Sequence, residues 1–260
     1  MSDYQINNPA TGELEATYPT ATEQDIQQVI EQADNAYQDW RQVSLSERSA
    51  LLHKIADSYL ERQDELARIV TGEMGKPVAQ AKGEIGLVAE IYRYYADNAE
   101  QLLAPNTIDV DSGSASVEKR PVGVLLGIMP WNYPHYQVAR FVAPNFMAGN
   151  TIILKHAPQC PKTAEVIADM FKEVGVPEGV YNNIFATNEQ AATIIHDKRV
   201  QGISLTGSER AGQAVAKEAG GALKKVVLEL GGSDAFIVAA DADIKKAVKG
   251  AISGRFGNAG

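Results

Sequence analysis

Four loops of this chain carry side chains able to do chemistry at neutral pH. Glu229 interrupts an apolar run and precedes two glycines in Leu228-Glu229-Leu230-Gly231-Gly232-Ser233. A carboxylate there is costly unless paired or functional. Partial burial raises its pKa towards neutrality, which suits a general base. Asn132 lies in Pro130-Trp131-Asn132-Tyr133-Pro134, where two prolines stiffen the backbone. A rigid amide can donate N–H bonds to an oxygen that gains negative charge. Lys155 ends an apolar run and leads into His156-Ala157-Pro158; its ammonium needs a ribose, a phosphate or water. Thr206-Gly207-Ser208 with Glu209-Arg210-Ala211-Gly212 joins a strand to a helix, and the N–H groups at such a junction suit phosphate. Its two glycines allow close backbone approach.

Each loop also has a plain structural reading. They are a proline-rich turn around a packed Trp, a lysine in water, a helix cap with a turn, and a carboxylate in a salt bridge. The glycine spacing matches neither the dinucleotide fingerprint nor the P-loop. Convergence of all four on one edge of one sheet carries more weight than any of them alone.

The elements that must position these loops change character near Pro121. Before it, apolar residues recur at helical spacing, predicting helices at Glu23–Trp40, Leu45–Leu60, Gln63–Met74 and Val78–Leu102. Thr22 with Asp25 and Ser44 with Glu47 mark helix starts, and Gly75-Lys76-Pro77 is a break. Asn106–Arg120 reads as a hairpin. After Pro121, short apolar strands are expected at Val122–Met129, Thr151–Lys155, Asn183–Phe185, Gly202–Leu205 and Lys225–Leu230. Helices are expected between them, at Val138–Ala148, Pro161–Val174, Glu189–Asp197 and Ala211–Ala219. That alternation predicts a doubly wound α/β domain with a parallel sheet, whose ligands bind beyond the strand C-termini. A further strand at Ala235–Val238 and a helix from about Ala242 begin another unit, so the expected division is 1–229 and 230–260.

Composition narrows the function classes. The 260 residues are 45% hydrophobic and 22% charged, with a net charge of −9. An acidic surface repels phosphate backbones, so nucleic acid is not an expected partner. The polar start Met1–Gln5 is not read as a signal peptide, and the best apolar run, Val122–Met129, is too short to cross a membrane. The single cysteine, Cys160, excludes an internal disulfide and fits the cytoplasm. The four histidines show no metal-ligand spacing.

In order and spacing, Pro130–Pro134, Lys155, Thr206–Ser208 and Leu228–Ser233 resemble the aldehyde dehydrogenase superfamily, as does the opening Asn8-Pro9-Ala10-Thr11-Gly12-Glu13. The resemblance spans the chain and is nearest to succinate-semialdehyde dehydrogenases, particularly those that carry a segment like Lys155–Pro158. It implies a Rossmann-type cofactor domain preceded by N-terminal helices, an oligomerisation hairpin at Asn106–Arg120, and the start of a second, catalytic α/β domain. It further implies that Asn132 stabilises the oxyanion of a thiohemiacetal and that Glu229 is the base for thioester hydrolysis. Lys155 is implied to hold the adenosine ribose, and Trp131, Gly207 and Ser208 to meet the pyrophosphate, with Gly212 and Leu230 completing the cofactor set. Arg140, eight residues past Asn132, is implied to meet a distal carboxylate of the substrate, for which a guanidinium fork is well suited.

Three departures from the family pattern matter. Its nucleophilic Cys is expected a few residues past Gly260, and Cys160 does not replace it by motif. Pro158 stands where NAD-preferring members carry a Glu, so NADP is expected to be accepted beside NAD. Phe141 replaces a common Lys. The resemblance implies a homodimer or homotetramer for the full-length protein, which would oxidise an aldehyde such as succinate semialdehyde. The alternative is a stand-alone dinucleotide-binding or regulatory module without turnover.

Overall fold

The computed structural model describes residues 4–259. Met1–Asp3 of the polar start and Gly260 lie outside the described residues.

The chain opens with an antiparallel hairpin, β1 (Tyr4–Asn7) and β2 (Leu14–Tyr18), which the sequence reading did not anticipate. Four helices follow: α1 (Glu23–Trp40), α2 (Leu45–Glu61), α3 (Gln63–Met74) and α4 (Val78–Leu103). The starts of α1 and α2 are capping boxes. Thr22 and Ser44 accept from the N3 amides while Asp25 and Glu47 accept in return. Gly75 ends α3 in the left-handed region at φ 79°, a conformation that costs glycine little, and Pro77 then starts the next helix. The expected hairpin is present as β3 (Asn106–Ile108) and β4 (Ala115–Val117), with exposed apolar side chains at Ile108, Val110 and Val117.

A five-stranded parallel sheet occupies the rest: β5 (Val124–Ile128), β6 (Thr151–Lys155), β7 (Tyr181–Asn183), β8 (Val200–Thr206) and β9 (Lys225–Glu229). The spatial order is β7-β6-β5-β8-β9. Helices α5 (Tyr136–Ala148), α6 (Pro161–Glu173), α7 (Asn188–His196) and α8 (Glu209–Gly221) connect the strands. Successive strand residues alternate between two cores. Leu125, Ile152 and Leu154 join α2, α4, α5 and α6, whereas Val124, Leu126, Ile153 and Ile203 join α1 and α7. The direction in which successive strands are added across the sheet reverses between β5 and β8, which run parallel, and this is the switch point where doubly wound sheets leave a crevice.

Two expectations need correction. The third strand is Tyr181–Asn183 rather than Asn183–Phe185. No strand forms at Ala235–Val238, where Phe236, Ile237 and Val238 are 62%, 85% and 47% exposed. Apolar and β-branched residues make a strand only where a neighbouring strand supplies ladder bonds and a packed face, and no described strand pairs with this segment. Helix α9 (Ile244–Phe256) follows, then a short 3-10 turn at Gly257–Ala259. Among the described residues no helix is long and apolar enough to cross a membrane.

Candidate functional site

The strand registers put the chemistry at one rim. Ile128 pairs with Lys155 on one side and Leu205 on the other, and Thr206 pairs with Glu229. The loops that follow open on a cleft of about 550 Å³. Trp131, Asn132 and Arg140 line one wall; Gly207, Ser208, Glu229 and Leu230 line the other. Seven of the ten site residues expected from sequence therefore share one cavity. Lys155, Pro158 and Gly212 do not line it.

Lys155 ends the neighbouring strand, is 5% exposed, and points its ammonium at the Tyr4 ring, 5.7 Å from the centroid. Pro158 accepts from the backbone N of Gln5 at 3.2 Å. Hairpin β1–β2 thus packs against the loop after β6, and Tyr4 Oη donates to the carbonyl of Ala186 at 2.9 Å. Gly212 has a packing role: a Cβ there would lie 2.6 Å from a Leu230 methyl, so a larger residue would push the Leu230 side chain off α8.

Ser208 is the N-cap of α8, accepting from the amide of Ala211 at 3.3 Å. Gly207 donates its N–H to the carbonyl of Glu229 at 2.9 Å, which locks the third and fourth loops together. Glu229 departs from expectation. Its side chain is 53% exposed rather than partly buried, and its Oε1 lies 3.5 Å from Arg140 Nη2. The face of β9 beside it is uncovered, with Val227 58% exposed, which leaves the carboxylate open to solvent. Phe141 packs over Gly127, where a Cβ would come within 2.5 Å of the ring; the residue in the lysine's place is part of the core.

Two groups escaped the sequence reading. Asn258 Nδ2 donates to the carbonyl of Asn132 at 2.9 Å, and Asn258 also lines the cleft. Lys76 and Glu84 form a buried ion pair beneath the Trp131–Tyr133 loop. The break at Gly75-Lys76-Pro77 signalled a turn but not its partner.

Cys160 is fully buried at the start of α6, and burial raises its thiol pKa well above the usual value. It is neither in the cleft nor disposed to form a thiolate. His135 and His156 are also fully buried, and desolvation lowers them to about 3 and about 4. His156 shares hydrogen bonds with the amide of Ala157 and the carbonyl of Pro134, so both ring nitrogens are engaged and the neutral form is held. Among the described residues no group of three or more His, Cys, Asp or Glu could hold a metal ion.

A dinucleotide suits this rim. The space above Gly207, Gly231 and Gly232 is open, since a Cβ at the first meets only a Leu205 methyl at 3.7 Å and at the others nothing. Trp131 is 45% exposed and available to stack, and the N-terminal end of α8 faces the same opening.

The model of the aldehyde dehydrogenase family matches residues 1–260. A succinate-semialdehyde dehydrogenase [NADP(+)] of Deinococcus radiodurans is 49% identical over 97% of this chain and 53% of its own length. A succinate semialdehyde dehydrogenase [NAD(P)+] of Escherichia coli K12 is 43% identical over 97% of this chain and 55% of its own. The solved structure of succinic semialdehyde dehydrogenase from Streptococcus pyogenes, in complex with NADP+, superposes with a TM-score of 0.96 at 43% identity, covering 99% of this chain and 57% of that one. The chain spans about half the length of the relatives it matches. Matched along its whole length by the family model, it belongs to the aldehyde dehydrogenase family.

Proposed function

We propose that this chain forms the cofactor-binding part of an NAD(P)-dependent dehydrogenase that oxidises a carboxylated aldehyde, succinate semialdehyde, to the acid. The observation that carries the proposal is the shared cleft of Asn132, Arg140, Ser208 and Glu229. The chain's similarity to NADP(+)- and NAD(P)+-dependent succinate-semialdehyde dehydrogenases supports the substrate and cofactor. Residues 1–229 are the helical and dinucleotide-binding part, and 230–260 begin a catalytic domain. The exposed Phe236, Ile237 and Phe256 favour this over a stand-alone module, because so much apolar surface calls for a cover. The β3–β4 hairpin, with its exposed apolar side chains, is the element for pairing into a homodimer or homotetramer.

In the proposed chemistry a cysteine thiolate from beyond Gly260 adds to the aldehyde carbon, and the C=O π pair moves onto oxygen. Asn132 donates N–H bonds to that oxyanion. NADP or NAD, when bound, supplies the hydride acceptor, which leaves a thioester on the cysteine. Glu229 then takes a proton from the water that attacks the thioester carbonyl, the C–S bond breaks, and the acid leaves while the cysteine is restored as its thiolate. Arg140 holds the far carboxylate of the substrate. Trp131, Gly207 and Ser208 would hold the pyrophosphate of the cofactor and Lys155 its ribose, and Gly212 and Leu230 would shape that seat.

The test is an aldehyde panel with both cofactors on the protein translated past Gly260. Reduction of NADP with succinate semialdehyde, and formation of succinate, is expected. Absence of turnover with every aldehyde and both cofactors overturns the proposal.

A further inference from the structure

The loop bearing Asn132 is held from beneath by charged groups that do not line the cleft beside Asn132. Lys76, on the turn between α3 and α4, has a fully buried side chain and bonds to Glu84, which is also fully buried. Above them, Lys76 Nζ lies 3.7 Å from the centroid of the Tyr133 ring, a close cation–π contact. The second oxygen of Glu84 accepts from the amides of His135 at 2.9 Å and Tyr136 at 3.1 Å, the first turn of α5. One pair therefore grips both the residue after Asn132 and the helix that follows it.

Helix capping alone does not account for the lysine. Glu73 caps α6 in the same manner, accepting from the amides of Lys162 and Thr163 and from the Thr163 hydroxyl, with no ion pair among the described residues. A carboxylate can thus serve a helix start here without a buried cation. What Lys76 adds is the seat for Tyr133.

We propose that the Lys76–Glu84 pair is a positioning device that fixes the Trp131–Tyr133 loop, and with it the amide of Asn132, under the oxygen of the bound aldehyde. It rests on the reading of Asn132 as the oxyanion donor. Donors must sit close to where the oxyanion forms, and a displacement near 1 Å is worth on the order of a hundredfold in rate. A loop anchored only by its two prolines lacks that definition on the Tyr133 side.

Two variants test it on the 260-residue chain. Lys76→Met with Glu84→Gln removes both charges, keeps side-chain length, and leaves an acceptor for the α5 amides, so no lone buried charge remains. Tyr133→Leu, at a half-exposed position, removes the seat and spares the pair. Amide exchange in the segment 131–137 is expected to quicken about tenfold in both, while the segment around Thr163 exchanges as before. Any other pattern, including quickening in only one variant, overturns the proposal. In the protein translated past Gly260, both variants are expected to lower kcat about a hundredfold, with KM and the NADP dissociation constant within about twofold. A loosened loop with unchanged kcat also overturns it. If the unaltered protein turns over no aldehyde, the functional reading fails, and the exchange result still decides whether the pair holds the loop.

Discussion

Arg140 Nη2 and Glu229 Oε1 lie 3.5 Å apart across the cleft, so the guanidinium assigned to the substrate already holds a carboxylate of the chain. Both side chains are well exposed, 39% and 53%, and an ion pair of that kind contributes only about 0–1 kcal/mol. An incoming carboxylate can therefore displace Glu229 at little cost. Arg140 also touches Gln137 and lies over Tyr136, which keeps its fork on the cleft side of α5.

Arg140→Ala in the protein translated past Gly260 is expected to lower kcat/KM for succinate semialdehyde about 10- to 100-fold, the worth of a charge-assisted hydrogen bond of roughly 1.5–3 kcal/mol. An uncharged aldehyde of similar length should lose little. Parallel rate measurements on both substrates decide it; equal losses refute the carboxylate role.

Cofactor choice is expected to follow Pro158. The residue brings no carboxylate to the end of β6, where Lys155 supplies a cation. Trp40 is buried and Trp131 is 45% exposed, so quenching of tryptophan emission reports the cleft. The unaltered chain is expected to bind NADP at least as tightly as NAD. Pro158→Glu should shift the ratio of dissociation constants towards NAD about tenfold, through like-charge repulsion of the 2′-phosphate. Rejection of NADP by the unaltered chain defeats the argument.

What was legible in the sequence was local or periodic. Thr22 with Asp25 and Ser44 with Glu47 announce helix starts because a capping box is a four-residue device. The strands before Pro130 and His156 were readable because burial on both faces leaves a nearly unbroken apolar run. The misses depend on partners distant in sequence. Hairpin β1–β2 is held by contacts such as Tyr4 with Ala186, 182 residues away. Glu229 was expected to be partly buried from its apolar neighbours, yet the open face of β9 decides its exposure. Ala235–Val238 has strand composition but no described strand to pair with. The Gly75-Lys76-Pro77 break was visible, but nothing in its spelling says that Lys76 turns inward to Glu84 and Tyr133.

Acid stability follows from the buried groups. His135 and His156 titrate at about 3 and about 4 in the fold, against an ordinary value of 6.5, chiefly because burial disfavours the imidazolium. Each lowered histidine contributes stability that is present above pH 6.5 and lost as pH falls towards its folded value. Glu73 runs the other way. Burial raises it to about 7 despite the bonds from Thr163 and Lys162, so its contribution is present below pH 4.5 and lost as pH rises through 7. Between pH 6.5 and 4.5 two histidines oppose one carboxyl, and each is worth about 1.4 kcal/mol per pH unit. The net expectation is a loss of about 1.4 kcal/mol for each unit of acidification across that window. Glu73→Gln keeps an acceptor for the α6 amides and removes the opposing group, so the loss should steepen to about twice that value. Urea unfolding at pH 6.5, 5.5 and 4.5 measures both slopes. A variant slope no steeper than that of the unaltered chain shows that Glu73 is ionised in the fold throughout.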